Sequence, residues 1–305
     1  MMQAVMHVHM IAIAVGIALF MRWLSYDSGP SARVSQQSWQ LRWTKALSAF
    51  VVPPLFLLMT AIAIVTMGIT SCHAWEGLLS YGISLAFVLL AGAIWLQLSW
   101  QVMKSQQTTS QYALKTFHTP LGSVLARVID MPFAFSAQVG FWSPELVISQ
   151  PIVRHLEVEQ LTAVFAHERG HAHYRDTFWF FWLGGLRRLT AWLPGTQSLW
   201  QELLLLRELR ADRWATQFVD KLVIAESLMQ VVSIQRDLQA LKLTEDSYAA
   251  FSMPALQSRL EQRIDALLSD EVSAEARVEG KQIVPTHWRA IAWSLTPLLT
   301  IPFHH

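Results

Sequence analysis

Three stretches of this chain contain no Asp, Glu, Lys or Arg: Met1–Met21, Ala46–Trp75 and Gly77–Met103. Each is long enough for a membrane-crossing helix, which takes about 20 apolar residues. Hydrocarbon offers the backbone no hydrogen-bond partners, so such runs must satisfy themselves as helices. We place spans at about 3–22, 47–68 and 78–101, within a membrane region covering 1–103. A shorter apolar run, Ala290–His305, is a marginal fourth span, with a surface or buried helix as the competing reading. No basic residue precedes the first run and Arg22 follows it, the reverse of a signal peptide, so a retained helix is expected.

Loop charge sets orientation, because Lys and Arg are held on the cytoplasmic side. Arg22, Arg33, Arg42 and Lys45 separate the first two runs, and "SYDSGPSARVSQQS" (25–38) reads as a loop. The turn at 71–76 has no Lys or Arg, whereas Lys104, Lys115 and Arg127 follow the third run. A multi-pass integral membrane protein follows, with the N-terminus outside and everything from Lys104 cytoplasmic. Lys281 and Arg289 precede the last run, which would leave the cytoplasm again. A net charge of +1 gives no reason to expect nucleic acid as a partner. The single cysteine, Cys72, excludes an internal disulfide and any Cys-rich zinc module. A small-molecule transporter would need polar or charged groups within the membrane runs, and the three runs hold no Asp, Glu, Lys or Arg.

The segment 104–289 has the size of one domain. "KSQQTTSQ" (104–111) reads as a helical continuation or a linker. "PFAFSAQVGFWSPELVIS" (132–149) is rich in β-branched and aromatic residues and is broken by Gly140 and Ser143-Pro144, so two short strands are expected. Helices are expected at about 156–174, 198–219 and 254–268 from apolar residues at helical spacing. Glu157 and Glu159 suit the start of the first of them. The segment 177–195 carries aromatic residues at 178–182 and then Arg187-Arg188. It is too short and too basic to span, and reads equally as an interfacial segment or an aromatic core.

Within the first of those helices stands His167-Glu168-Arg169-Gly170-His171. At i, i+4 the two imidazoles share a face and can hold one metal ion. Glu168 is rotated about 100° away, so it reaches the attacking water and acts as general base. Zinc lowers the pKa of such a water toward about 7. Gly170 costs a mid-helix position about 1 kcal/mol against Ala, so close approach of another backbone is expected there. A catalytic zinc site needs a third protein ligand. Glu208 fits, four residues before Asp212 on one face, with Ala211 and Ala215 flanking it. Asp212 would hold an imidazole through its other nitrogen. Read alone, Arg207, Glu208, Arg210 and Asp212 would be a solvated charged face. The coincidence with His167, Glu168 and His171 favours zinc.

"HERGHAHYRD" (167–176) followed by "ELRAD" (208–212) resembles gluzincin-type membrane metallopeptidases. The BlaR/MecR type, membrane antirepressors of β-lactam resistance, is the nearer resemblance, and the HtpX type of membrane protein quality control is the next. The resemblance implies three membrane helices, a cytoplasmic α+β zincin domain and a fourth helix. No counterpart of the antirepressors' extracellular β-lactam-binding domain is expected, so drug sensing is not carried over. "MPALQSRLEQRIDALL" (253–268) is similar to the segment after the zinc site in both groups but brings no catalytic residue. Asp176 matches an Asp of this family, for which capping or pairing with Arg175 is expected. His173 points to another face and is not expected to be a ligand.

The expectation is a mainly α membrane protein with a zinc endopeptidase domain acting on a protein or peptide, such as a repressor-like partner or the chain itself. HtpX-like cleavage of membrane proteins is the alternative, and an inactive signalling scaffold is a further one. Such peptidases commonly hold substrate along an exposed strand, and Phe133–Val139 is the candidate edge.

Overall fold

A computed structural model describes residues 2–26, 39–68, 75–242, 253–269, 292 and 294–303. The elements in chain order are α1 (Met2–Tyr26), α2 (Trp39–Met67), α3 (Trp75–Ser110), β1 (Leu114–Thr119), β2 (Gly122–Ile129), β3 (Ser136–Val139), β4 (Glu145–Ser149), α4 (Gln150–His155), α5 (Val158–His173), α6 (Asp176–Leu189), α7 (Thr196–Ala215), α8 (Lys221–Lys242), α9 (Met253–Leu268) and a 3-10 helix (Thr296–Phe303). The chain forms two compact units, one of residues 1–99, 181–206 and 283–305 and one of 100–180 and 207–282.

Among the described residues, α1, α2 and α3 are the three helices long and apolar enough to cross a membrane. The expected spans fall on them. Gly68, at φ +76°, ends α2 in the left-handed region that glycine tolerates. Two prolines, Pro53 and Pro54, lie inside α2. Pro54 has no N–H for the carbonyl of Phe50. Arg22 supplies the missing donor: its Nη2 reaches that carbonyl at 3.2 Å, and its guanidinium lies over the Phe50 ring. Ala14 and Ala18 of α1 pack with Leu57 of α2 and Leu193.

Residues 181–206 group with these helices rather than with the linear segment 104–289. Apolar burial is the reason: Leu183, Leu186, Leu189 and Leu193 are all buried. The segment 177–195 is mostly helix, with Trp179, Trp182 and Trp192 exposed, so its buried face is made of leucines and not of the aromatic core that is one expected reading. Of the terminal apolar run, residues 296–303 form a 3-10 helix. At about 2 Å per residue this is roughly half the ~30 Å hydrocarbon thickness, so the described residues there form no spanning α-helix. Positions 290, 291, 293, 304 and 305 lie outside the described residues, as do 27–38 of the expected loop and 71–74 of the expected turn.

The second unit holds a four-stranded sheet in the order β1-β2-β4-β3. β1 pairs antiparallel with β2, β2 parallel with β4, and β3 antiparallel with β4. The two expected strands are β3 and β4. The β1–β2 hairpin is an addition, closed by Pro120-Leu121 and by Gly122 at φ +106°. β1 is mostly exposed and polar, which removes the alternation that marks a half-buried strand.

One face of the sheet packs on α5. Ala126, Leu146 and Ile148 meet Leu161 and Phe165, with Ile152, Leu156 and Ile234 completing the core. Another side of α5 presents Ala163 and Ala166 to Ala215, Ile224, Ala225 and Leu267. Small residues there let α5 lie deep among the other helices. The entry to α5 is held by Glu157, whose N–H donates to the Gln160 side chain at 3.2 Å.

Candidate metal centre

His167 and His171 project from one face of α5, and their Nε2 atoms stand 3.1 Å apart. Glu208 comes from α7. Its Oε2 lies 3.4 Å from the Nε2 of His167 and its Oε1 3.7 Å from that of His171. One ligand atom from each residue lies within 4.8 Å of the others, a group that could hold a metal ion. A tetrahedral zinc bound at 2.0–2.1 Å has ligand–ligand edges of about 3.3 Å. The three observed separations bracket that value.

Close packing of α5 on α7 makes this convergence possible. A Cβ on Gly170 would lie 3.1 Å from the Cα of Ala211 and 3.2 Å from its carbonyl oxygen. The expected close backbone approach is therefore present, and Ala211 is the partner. A larger residue at either position would separate the imidazoles from Glu208.

Each imidazole is held from behind by a carboxylate, and each carboxylate by an arginine. His167 Nδ1 is 2.8 Å from Asp212 Oδ1. Asp212 in turn accepts two hydrogen bonds from Arg263 of α9, from Nε and Nη2, each at 2.7 Å. His171 Nδ1 is 2.7 Å from Asp176 Oδ2, and Arg210 Nη2 donates to the other oxygen of Asp176. Asp176 follows His171 closely in the chain and can return to it because Arg175 adopts φ +52°, which reverses the backbone between α5 and α6. This corrects the expected role of Asp176: its partners are His171 and Arg210, not Arg175. His173 stacks on Trp214 with ring centroids 3.9 Å apart and faces away from the cluster.

These contacts fix the chemistry of the donor set. Burial and then the Arg263 guanidinium act on Asp212 in opposite directions, and the net effect holds its carboxyl below the usual range. An ionised Asp212 can only accept, so in the neutral imidazole His167 Nδ1 carries the proton and Nε2 presents the lone pair that a cation would take. Asp176, paired with Arg210, meets His171 at Nδ1 in the same geometry, which turns the Nε2 of His171 inward. Two lone pairs 3.1 Å apart, beside a buried carboxylate, make a site suited to a cation. Burial alone would lower the His167 pKa, but Asp212 and Glu208 outweigh it and raise it to about 9. His171 is raised in the same way by Asp176 and Glu208 against its own desolvation. Burial opposes ionisation of Glu208, yet the two imidazoles and Arg263 hold its carboxyl well below the ordinary value. The cluster thus has a surplus of negative potential that a divalent ion would neutralise, and the residues fit zinc.

Glu168 is 4% exposed, and its Oε2 is buried without a hydrogen-bond partner. An unsatisfied buried carboxylate oxygen is unfavourable and marks a place where a polar ligand is wanted. The backbone carbonyl of Glu168 accepts a hydrogen bond from the Gln138 side chain of β3 at 3.2 Å, which ties the edge strand to the motif.

Sequence reasoning misses Arg263 and Arg210. A signal exists for Arg263, which lies three residues after Leu260 and four before the buried Leu267, so a charged residue occupies the apolar face of α9. Arg210 has none, because its position among Glu208 and Asp212 also suits a solvated face.

Residues 99–206 match the family model Peptidase family M48. The match includes His167, Glu168 and His171, ends just before Glu208, and supports a metallopeptidase of that generally zinc-dependent family. No curated protein and no solved structure matches the chain.

Proposed function

We propose that this chain is a membrane-embedded zinc metalloendopeptidase, with His167, His171 and Glu208 as ligands and Glu168 as general base. The observation that carries this reading is the convergence of two Nδ1-anchored imidazoles and one carboxylate beside an unpartnered glutamate oxygen. Zinc bound there supplies a Lewis acid that polarises the scissile carbonyl and makes water acidic enough to deprotonate near neutral pH. Glu168 takes the proton of the attacking water and hands it to the departing amine. Asp212 and Asp176 keep both imidazoles in the tautomer that offers Nε2. Purified protein is expected to hold one zinc per chain by elemental analysis. His167→Ala, His171→Ala and Glu208→Ala should each lose it, and full occupancy in Glu208→Ala would mean that another residue is the third ligand.

The substrate is a flexible stretch of polypeptide held along β3. This strand is one edge of the sheet, and its side chain at Gln138 bonds the catalytic helix. Ser149 N–H donates to the Phe135 carbonyl at 2.8 Å. In an antiparallel pair the hydrogen-bonding direction alternates, so Ala137 faces β4 while the backbone groups of Ser136 and Gln138 face outward. The two positions therefore separate two effects. Ser136→Pro removes an outward donor and should raise KM severalfold with zinc retained. Ala137→Pro breaks the β4 ladder and should lower stability instead. Normal cleavage by zinc-loaded Ser136→Pro would rule this edge out as the substrate strand.

Regulatory cleavage of a repressor-like partner or of the chain itself is the preferred role. A backbone-reading edge also favours a second role, broad cleavage of damaged membrane proteins. We further propose the orientation read from loop charge. A reporter after Lys104 should be cytoplasmic and one at Ser71 external, and the inverse pattern would refute the assignment.

A further inference from the structure

We infer that an aromatic patch of the second unit, made by Phe141 and Trp142 between β3 and β4 and by Phe178 and Trp179 at the start of α6, sits in the headgroup layer of the lipid bilayer. The inference rests on the proposed reading of α3 as a membrane span.

Trp142 is 79% exposed and Trp179 51% exposed. The Phe141 ring packs on Trp142 at 4.9 Å and on Phe178 at 5.0 Å, so the exposed rings form one surface rather than isolated side chains. Clustered exposed aromatics mark an interaction site.

Depth along α3 selects the lipid as the partner. The charge-free run on α3 ends at Met103, with Trp100 exposed before it and Lys104 exposed as the first charge. Trp beside Lys is the residue pairing of a membrane interface. The helix continues without a break to Ser110, so Gln106 lies only about 4.5 Å further along its axis. Gly140 rests on that residue: a Cβ at Gly140 would stand 2.8 Å from the Gln106 amide nitrogen. Its φ of +129° is one that L side chains rarely adopt, so a glycine is required at this contact with the helix. The interfacial layer is roughly 5–8 Å deep on each side of the hydrocarbon. Trp142 is only two residues beyond Gly140, about 7 Å of chain at most, and so within reach of that depth. The loop 140–144 has no charged residue to resist it, and an indole with an apolar body and one N–H donor suits that layer.

The test places a single cysteine at Trp142→Cys, or at Lys115→Cys on the opposite edge strand, in a Cys72→Ser background. Each is labelled with an environment-sensitive fluorophore and reconstituted in phosphatidylcholine vesicles with or without headgroup-nitroxide lipid. Zinc content equal to that of the parent confirms folding, and resistance to carbonate extraction confirms integration. We expect nitroxide quenching several-fold stronger at 142 than at 115. Equal quenching at the two positions in integrated protein would overturn the inference. So would a shielded probe at 142 that nitroxide lipid does not quench, since protein such as a second copy would then cover the patch. Extraction of the chain by carbonate would instead refute the membrane reading itself, and this inference with it.

Discussion

Glu168→Gln is expected to keep its zinc and to lose peptide-bond hydrolysis by about 10²–10⁴-fold, the usual contribution of a positioned general base. The amide has the carboxylate's shape, so the packing of α5 is retained, but it cannot take a proton from water. The substitution also removes no protein contact from Oε2, which has no hydrogen-bond partner. Thermal unfolding should therefore shift little, and the loss should fall on kcat rather than KM. Activity within tenfold of the parent, at equal zinc content, would remove Glu168 from the reaction and leave the cluster as a structural metal site.

Arg263→Met is expected to weaken zinc binding by about 10–100-fold, the range found when a group behind a metal-bound histidine is lost. Arg263 fixes Asp212 by two hydrogen bonds, and Asp212 fixes the ring. Arg263 Nη1 also lies 3.4 Å from Glu208 Oε2, and its Nη2 3.5 Å from His167 Nδ1. Removing the arginine leaves a buried carboxylate without its cation, which costs about 3–5 kcal/mol of stability. Arg263→Met with Asp212→Asn removes both charges and should recover much of the stability but not the zinc affinity. That split distinguishes positioning of His167 and Glu208 from a purely structural ion pair. Chelator competition gives the affinity and thermal unfolding in detergent gives the stability. Unchanged zinc affinity in zinc-loaded Arg263→Met would show that the His167–Asp212 contact needs no arginine behind it.

Local periodicity makes much of this protein legible in its amino-acid sequence. The charge-free runs become helices because a long apolar stretch has few alternatives. His167 and His171 share a face, as do Glu208 and Asp212, because four residues are close to one helical turn. Gly170 is readable as a point of close approach because glycine is unfavourable inside a helix without one.

Contacts between elements remote in the chain are decided by packing. Asp176 has the sequence position of a cap, yet the left-handed conformation of Arg175 turns it back to His171. Arg263 reaches Asp212 only because α9 packs on α8, which packs on α5. The sheet order, which makes β3 an edge and turns Ser136 and Gln138 outward, follows from the pairing of β2 with β4, and β1 is too polar to announce itself. Residues 181–206 join the apolar helices because their leucines find buried surface there. The sequence by itself determined which side chains share a helical face, since a helix repeats on a fixed short period. The tertiary structure alone decided which faces meet, since that depends on volumes and hydrogen bonds summed over segments far apart in the chain.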